Sequence, residues 1–162
     1  MKVIKIPCNV KNYGGSRKAK DVIAVVIHNT GGEKDTAENN GNFFKNPVEP
    51  ERSAHYFIDR NGVIVKSVDR CKIAWSVRDY NKTKYNNFNT ISIELCAIAK
   101  KEPTQAQIKS CNELIKFIKK HHKNCKEVIR HYDVNGKNCP ALYIDNAKWK
   151  ELKKELTKWV II

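Results

Sequence analysis

His28, His131 and Cys139 are the residues of this chain whose types and spacing suit chemistry best. His28 closes the apolar run 22–27, and His131 closes a second short run at 128–130. Cys139 follows in the segment Gly136-Lys-Asn-Cys139-Pro140. Neutral imidazoles and a thiolate are the usual ligands of zinc, and three protein ligands leave a fourth tetrahedral position open for reaction. Taken singly, a histidine at a strand end is more often a hydrogen-bonded core residue than a ligand. The short separation between His131 and Cys139 changes that reading, because a loop of this length can return a thiolate to the same ion. Gly136 lets the loop turn tightly, and Pro140 stiffens its exit.

Two more residues fit the same chemistry. Glu94 lies in the alternating segment Thr90-Ile-Ser-Ile-Glu94-Leu-Cys96, where Ser92, Glu94 and Cys96 share one face and Ile93 and Leu95 the other. Its carboxylate is either part of an exposed polar face or a general base for water at the metal. Lys137, two residues before Cys139, is one lysine among many. Its place on the ligand loop suits it to stabilise the oxyanion of amide hydrolysis.

The elements that must hold these residues alternate in type. Residues 22–28 read as a strand buried on both faces. Asp35 or Thr36 can cap a helix running to about Lys45, which Asn46-Pro47-Val48-Glu49-Pro50 breaks. Residues 53–59 and 63–68 read as a hairpin around Arg60-Asn61-Gly62, with a type I′ turn at Asn-Gly. Residues 79–89 are polar and aromatic and read as a surface loop, and 90–96 as a strand. Thr104 and Gln107 form a capping box for a helix to about His122, with Ile108, Cys111, Ile115 and Ile118 on one face. Residues 127–131 read as the next strand. Asp145 starts a last helix with Trp149, Leu152, Leu156 and Trp159 as its buried stripe. Strands alternating with helices imply an α/β fold, a central mixed β-sheet flanked by α-helices. Both histidines then stand at the C-terminal ends of strands, where such sheets usually place their sites.

At 162 residues the chain is expected to be one domain with its core over about 22–160, and 41% apolar residues can build that core. It has no run of about 18 apolar residues, so no transmembrane helix is expected. The start, residues 1–8, lacks the apolar stretch of a signal peptide. Synthesis in the cytoplasm is the expectation, and without export the six cysteines are not read as a disulfide framework. Cys96 and Cys111 fall in apolar patterns and read as small core residues. The net charge of +14, from 31 basic and 17 acidic residues, either attracts a polyanion such as an anionic cell wall or only solubilises the surface. The lysines are spread along the chain and no nucleic-acid motif is present.

Four ordered segments carry a family resemblance: Val25-Val-Ile-His28-Asn-Thr30, Ser53-Ala-His-Tyr-Phe-Ile-Asp-Arg-Asn-Gly62, Thr90-Ile-Ser-Ile-Glu-Leu95, and Arg130-His-Tyr-Asp-Val134 continued by Lys137-Asn-Cys-Pro140. Together they resemble the type 2 N-acetylmuramoyl-L-alanine amidases, a family that includes phage lysozyme-type amidases and is similar to the peptidoglycan recognition proteins. The resemblance covers the chain from about Val22 to the last helix. It implies one catalytic zinc ion on His28, His131 and Cys139, with Glu94 and Lys137 as catalytic residues. It further implies hydrolysis of the amide between the lactyl group of N-acetylmuramic acid and the L-alanine of the peptidoglycan stem. Some members carry aspartate as third ligand, so the cysteine resembles the phage and recognition-protein branch.

One departure stands out. The phage branch has a catalytic tyrosine where Ala54 stands here; Tyr56, two residues on, is expected on the same strand face. His55 should face away from both and serve a structural role. A substrate groove is expected among the loop after His28, residues 43–52 and residues 75–88. Trp75, Tyr80 and Tyr85 would contact sugar or peptide there, with Asn29 and Thr30 as contacts by position. The expected partners are peptidoglycan and anionic wall polymers, with neither nucleic acid nor membrane. The resemblance suggests the catalytic domain of a phage or prophage endolysin, held in the cytoplasm until a holin releases it to the wall. A host autolysin or sporulation amidase is the near alternative. A non-catalytic peptidoglycan-binding module commonly lacks the third ligand, which Cys139 supplies. A structural-zinc nucleic-acid binder needs a fourth ligand, for which only His55 is in view.

Overall fold

The computed structural model describes residues 1–78 and 82–158. Six strands form one mixed sheet, spatially β1 (Val3–Lys5), β5 (Ile64–Lys66), β4 (Tyr56–Ile58), β7 (Thr90–Leu95), β3 (Ala24–Asn29) and β8 (Glu127–Arg130). β4, β7, β3 and β8 run parallel; β5 is antiparallel to β4 and parallel to β1. A separate antiparallel pair joins β2 (Tyr13–Ser16) to β6 (Lys72–Ala74). The helices are α1 (Ala37–Phe43), α2 (Gln105–His121), the short α3 (His131–Asn135) and α4 (Asn146–Leu156). No helix among the described residues is long and apolar enough to cross a membrane.

β3 lies between β7 and β8 and is buried along almost its whole length, as its unbroken apolar run requires. Val25 and Ile27 of β3, Ile93 and Leu95 of β7, and Tyr56 and Ile58 of β4 point to one face. There they pack against Cys111, Leu114, Ile115 and Ile118 of α2 and Trp149, Leu152 and Leu156 of α4. Each fully buried Leu or Ile in this layer contributes about 1.5–3 kcal/mol. The expected capping box is present: Gln107 N donates to Thr104 Oγ1 and Thr104 N to Gln107 Oε1. Thr36 caps α1 and Asp145 caps α4. Trp159, expected in the α4 stripe, lies outside the described residues.

The other face is covered in two patches. Ala37, Ala54, Phe57 and Cys96 make one; Val26, Val77, Ile129 and Val134 make the other. His28 and Glu94 project from this same face, because period-2 alternation places them with Val26 and Phe57.

The structure corrects three expectations. The hairpin turn is not type I′: Gly62 has φ 80°, but Asn61 keeps a negative φ. Gly62 N donates to Asp59 O, and Asp59 Oδ1 accepts from Asn61 N and Val63 N. The aspartate thus stabilises a longer turn with glycine alone in the left-handed region. The last strand ends at Arg130, and His131 opens α3, so a helical turn leads toward Cys139 in place of a plain loop. Tyr56 does not share a face with Ala54. The chain bends at His55 and β4 begins only at Tyr56, so Tyr56 joins the α2–α4 layer while Ala54 packs on the opposite side. β1, β2 and β6 were not anticipated, since three or four residues carry too little periodicity to read. All six cysteines are free, with Cys71 exposed and the others buried.

Candidate metal centre and groove

Register sets the first part of the site. His28 is the direct partner of Glu94 across β3 and β7, and Ile27 is the partner of Arg130 across β3 and β8. His131 follows Arg130, so both histidines and the carboxylate meet at the C-terminal edge of three parallel strands. Arg130 fixes the entry to α3. Its guanidinium grips Asp133 Oδ1 at 2.6 Å and donates to Tyr143 O and Ile144 O, while its backbone N donates to Asp133 Oδ2. A bidentate pair of this kind, with the arginine buried and the aspartate half-buried, holds direction as well as charge.

The third residue arrives by a loop pinned at three points. Gly136, φ 81°, ends α3 by donating from its N to Tyr132 O. Tyr132 N donates back to Cys139 O at 2.9 Å. Asn29 completes the hold, with its backbone N donating to Cys139 Sγ at 3.4 Å and its Oδ1 accepting from Ala141 N at 2.7 Å.

The resulting cluster is compact. One ligand atom each from His28, His131 and Cys139 lies within 4.8 Å of the others, and all three residues are buried. His28 Nδ1 is 3.1 Å from His131 Nδ1 and 3.9 Å from Cys139 Sγ. Tetrahedral zinc with ordinary bond lengths would space such atoms by about 3.3 Å for N···N and about 3.6 Å for N···S. Burial pushes the His28 pKa well below its usual value and that of His131 down to about 4, with the Lys137 charge adding to both. Both rings therefore stay neutral, the form a metal binds. Burial and the Glu94 charge push the Cys139 thiol up to about 12, against the pull of the Asn29 amide and Lys137. A thiol so raised needs a cation beside it to ionise. Donor types, protonation and spacing together fit a zinc ion with one position left open.

Glu94 Oε1 is 3.8 Å from His28 Nδ1, and Oε2 is buried with no hydrogen-bond partner among the described residues. Burial raises its pKa to about 7 despite the opposing charge of Lys137. The cluster lies at the floor of a groove of about 700 Å³. Its walls come from two of the three expected segments: Phe44, Glu51 and Arg52 on one side, Trp75, Arg78 and Asn87 on the other; of the loop after His28 only Asn29 reaches it. Lys137 lines the rim and is exposed. Trp75 is set by a close approach, since a Cβ on Gly14 would meet Trp75 Nε1 at 3.1 Å.

The remaining site expectations divide. Asn29 touches the groove, but its side chain is committed to Ala141 N and Thr30 O, so it holds the ligand loop. Thr30 is buried away from the groove, where its hydroxyl accepts from Ala97 N. Tyr85 packs beside the Ala24, Val26 and Ile129 patch, away from the groove lining, because the loop carrying it folds back over the sheet. Tyr80 lies outside the described residues. His55 is fully buried and belongs to no metal-binding group among the described residues. It accepts from Ser92 N at Nδ1, and its Nε2 lies 3.1 Å from Lys72 O and 2.9 Å from the Arg17 guanidinium.

Two residues were missed. Asn135 Nδ2 is 3.2 Å from His131 Nε2 and steadies the ring from one helical turn away. That relation is invisible unless 131–135 is read as helix. Arg17, also buried, donates to the carbonyls of Arg70, Asn87, Phe88 and Thr90 and so ties the groove's second loop to the sheet. An arginine next to Lys18 and Lys20 in a basic stretch gives no signal of that role.

A family model for N-acetylmuramoyl-L-alanine amidases matches residues 18–142, a span that contains the whole cluster. No curated protein matches the sequence. Among solved structures the chain is similar to a mutant endolysin from Bacillus subtilis, with TM-score 0.77 and 23% identity, covering 96% of this chain and 98% of that one. It is similar to PlyL with TM-score 0.78 and 19% identity, covering 98% of each. It is also similar to the N-acetylmuramoyl-L-alanine amidase LysC from Clostridium intestinale URNW, with TM-score 0.68 and 17% identity, covering 96% and 97%. At such identities the likeness speaks to the fold, a mixed sheet flanked by helices shared with these proteins.

Proposed function

This chain belongs to the N-acetylmuramoyl-L-alanine amidase family, and from that premise we propose a zinc-dependent hydrolase that cuts the amide between N-acetylmuramic acid and the L-alanine of the peptidoglycan stem, serving as an endolysin. The observation that carries this reading is the convergence of His28, His131 and Cys139 beside Glu94 on the groove floor. A zinc ion held by those three residues would supply Lewis acidity toward the scissile carbonyl and make water acidic enough to attack near neutral pH.

The chain's own groups do the rest. Glu94 takes the proton from the attacking water and returns it to the leaving amine of L-alanine as the C–N bond breaks. A carboxyl with its pKa near 7 is matched to both transfers. Lys137, on the rim, brings positive charge to the oxygen that becomes anionic. Arg52 and Arg78 add charge suited to a stem-peptide carboxylate, and the face of Trp75 suits sugar or peptide. The endolysin reading is supported by the match in fold to the mutant endolysin from Bacillus subtilis.

The test is digestion of purified Gram-positive peptidoglycan, following new amino groups and new reducing sugars together, with and without a zinc chelator. Amino groups alone, with alanine newly N-terminal and loss on chelation, are the expected result. Reducing sugars would identify a glycosidase and overturn the proposal. Binding to the wall without either product would identify a recognition module.

A further inference from the structure

Lysines occur along the whole chain, but two stretches carry them without any acid to offset them. Residues 1–20 carry six Lys and Arg and no Asp or Glu; residues 114–126 carry five Lys and no acid. The fold brings the ends of these two stretches together. His122 Nδ1 lies 3.1 Å from Ala19 O, Asn124 Nδ2 donates to Lys20 O at 2.7 Å, and Lys126 N donates to Ile23 O. Lys119 Nζ donates to Lys126 O across the end of α2. Lys18, Lys20, Lys120, Lys123 and Lys126 are exposed. None of these five is in an ion pair among the described residues. The nearest acids are partly spent: Asp21 accepts from Lys18 N, and Glu127 pairs with Lys84. This basic pole sits where β3 and β8 begin, whereas the metal centre sits where they end.

We propose that this pole is a docking surface for a flexible, phosphate-bearing polymer of the cell wall, holding the protein on its substrate while the groove at the opposite end stays free. The proposal rests on the peptidoglycan reading above. The chemistry favours this partner over nucleic acid or membrane. The exposed cations are lysines, compact point charges that bind anions without geometric selection, in contrast to arginine forks. No Phe, Tyr or Trp is exposed at residues 18–20 or 119–126, and the one exposed ring there, His121, lies against Phe117 with Nδ1 2.8 Å from Phe117 O, so the pole has no aromatic platform for a run of bases. No large apolar side chain is exposed there either, so nothing can enter a bilayer. What remains is a set of unpaired positive charges suited to a chain of phosphodiesters, with an attraction that salt screens within about 10 Å.

The test compares the wild type with Lys20→Glu/Lys120→Glu/Lys123→Glu. A control, Lys101→Glu/Lys148→Glu/Lys150→Glu, makes the same change in net charge at other exposed lysines. Cosedimentation is measured with sacculi that retain their phosphate polymer and with sacculi stripped of it, and turnover is measured on a soluble muropeptide. Wild type and control should bind the polymer-bearing walls. The pole variant should bind about a hundredfold less, with muropeptide turnover and melting temperature unchanged. Equal loss in both variants would mean that net charge alone matters and would overturn the proposal. So would equal binding to stripped walls, or preferential binding of duplex DNA or anionic vesicles over the polymer. Binding is read without hydrolysis, so failure of the amidase reading would show separately, as absent turnover in every variant.

Discussion

His55 should make this protein acid-labile in a way that can be calculated. The ring is fully buried, and burial together with the Arg17 guanidinium lowers its pKa to about 3 from 6.5. Its Nδ1 accepts from Ser92 N, so the Nε2 proton is directed at Lys72 O. A second proton would cost the Ser92 bond and set an imidazolium 2.9 Å from a fixed positive charge. Because the folded pKa is depressed, the unfolded chain binds the proton more readily. The stability at stake is complete above about 6.5 and declines as pH falls toward about 3, by about 1.4 kcal/mol per pH unit. At about pH 5 the loss from this one group is about 2 kcal/mol. The measurement is urea unfolding of metal-free wild type and His55→Asn at about pH 7.5 and about pH 5. Asparagine keeps an acceptor for Ser92 N but has nothing to protonate. Wild type should be the more stable at the higher pH, and its advantage should shrink by about 2 kcal/mol at the lower one. His28, His122 and His131 titrate in both proteins and cancel. Parallel pH profiles would refute the reasoning and mean that His55 is protonated without cost.

Glu94→Gln should keep one bound zinc, read by metal analysis, and lose about 10²–10⁴-fold in turnover on soluble muropeptide; full activity would remove Glu94 from the mechanism. Cys139→Ala should abolish activity while leaving the circular dichroism spectrum and the cooperative unfolding transition in place; global unfolding would make the metal structural. Asn29→Ala, which removes the side-chain hold on Ala141 N, should weaken zinc affinity about 10–100-fold by competition with a chromophoric chelator; an unchanged affinity would mean that the backbone holds, Tyr132 N to Cys139 O and the residue-29 amide to the sulfur, position the loop without the side chain.

The parts legible in the sequence are those written in local pattern. The buried run 22–27, the alternation in 90–96 and the capped helix over 105–121 specify where β3, β7 and α2 form, and each forms within two residues of expectation. His28, Glu94, His131 and Cys139 could be singled out because their types match one chemistry, the histidines fall at the ends of apolar runs, and Cys139 follows His131 after a short loop. The turn at Gly62 departs from the Asn-Gly pattern because Asp59, a residue outside that pair, dictates its geometry. Strict alternation puts Tyr56 and Ala54 on one face, but the chain bends at His55 and breaks it.

What local pattern could not convey is how the third ligand is held. Cys139 is 111 residues from His28 in the chain, yet it is fastened to the neighbour of that histidine, through the Asn29 amide to its sulfur and the Asn29 side chain to Ala141. Position alone suggested Asn29 as a substrate contact, because it follows a ligand and borders the groove. The hydrogen bonds assign its polar atoms elsewhere, and they do so at a point where rigidity matters. A thiol raised to about 12 becomes a metal ligand only if its sulfur is already where the ion will sit, since any energy spent closing the loop is subtracted from binding. The parallel register of β3 and β7 places His28 beside Glu94 directly, and the Arg130–Asp133 pair sets His131 one residue past β8. The cysteine depends on a side chain whose part in the site is decided by tertiary contact, which is why Asn29 separates metal affinity from fold more cleanly than any of the three ligands.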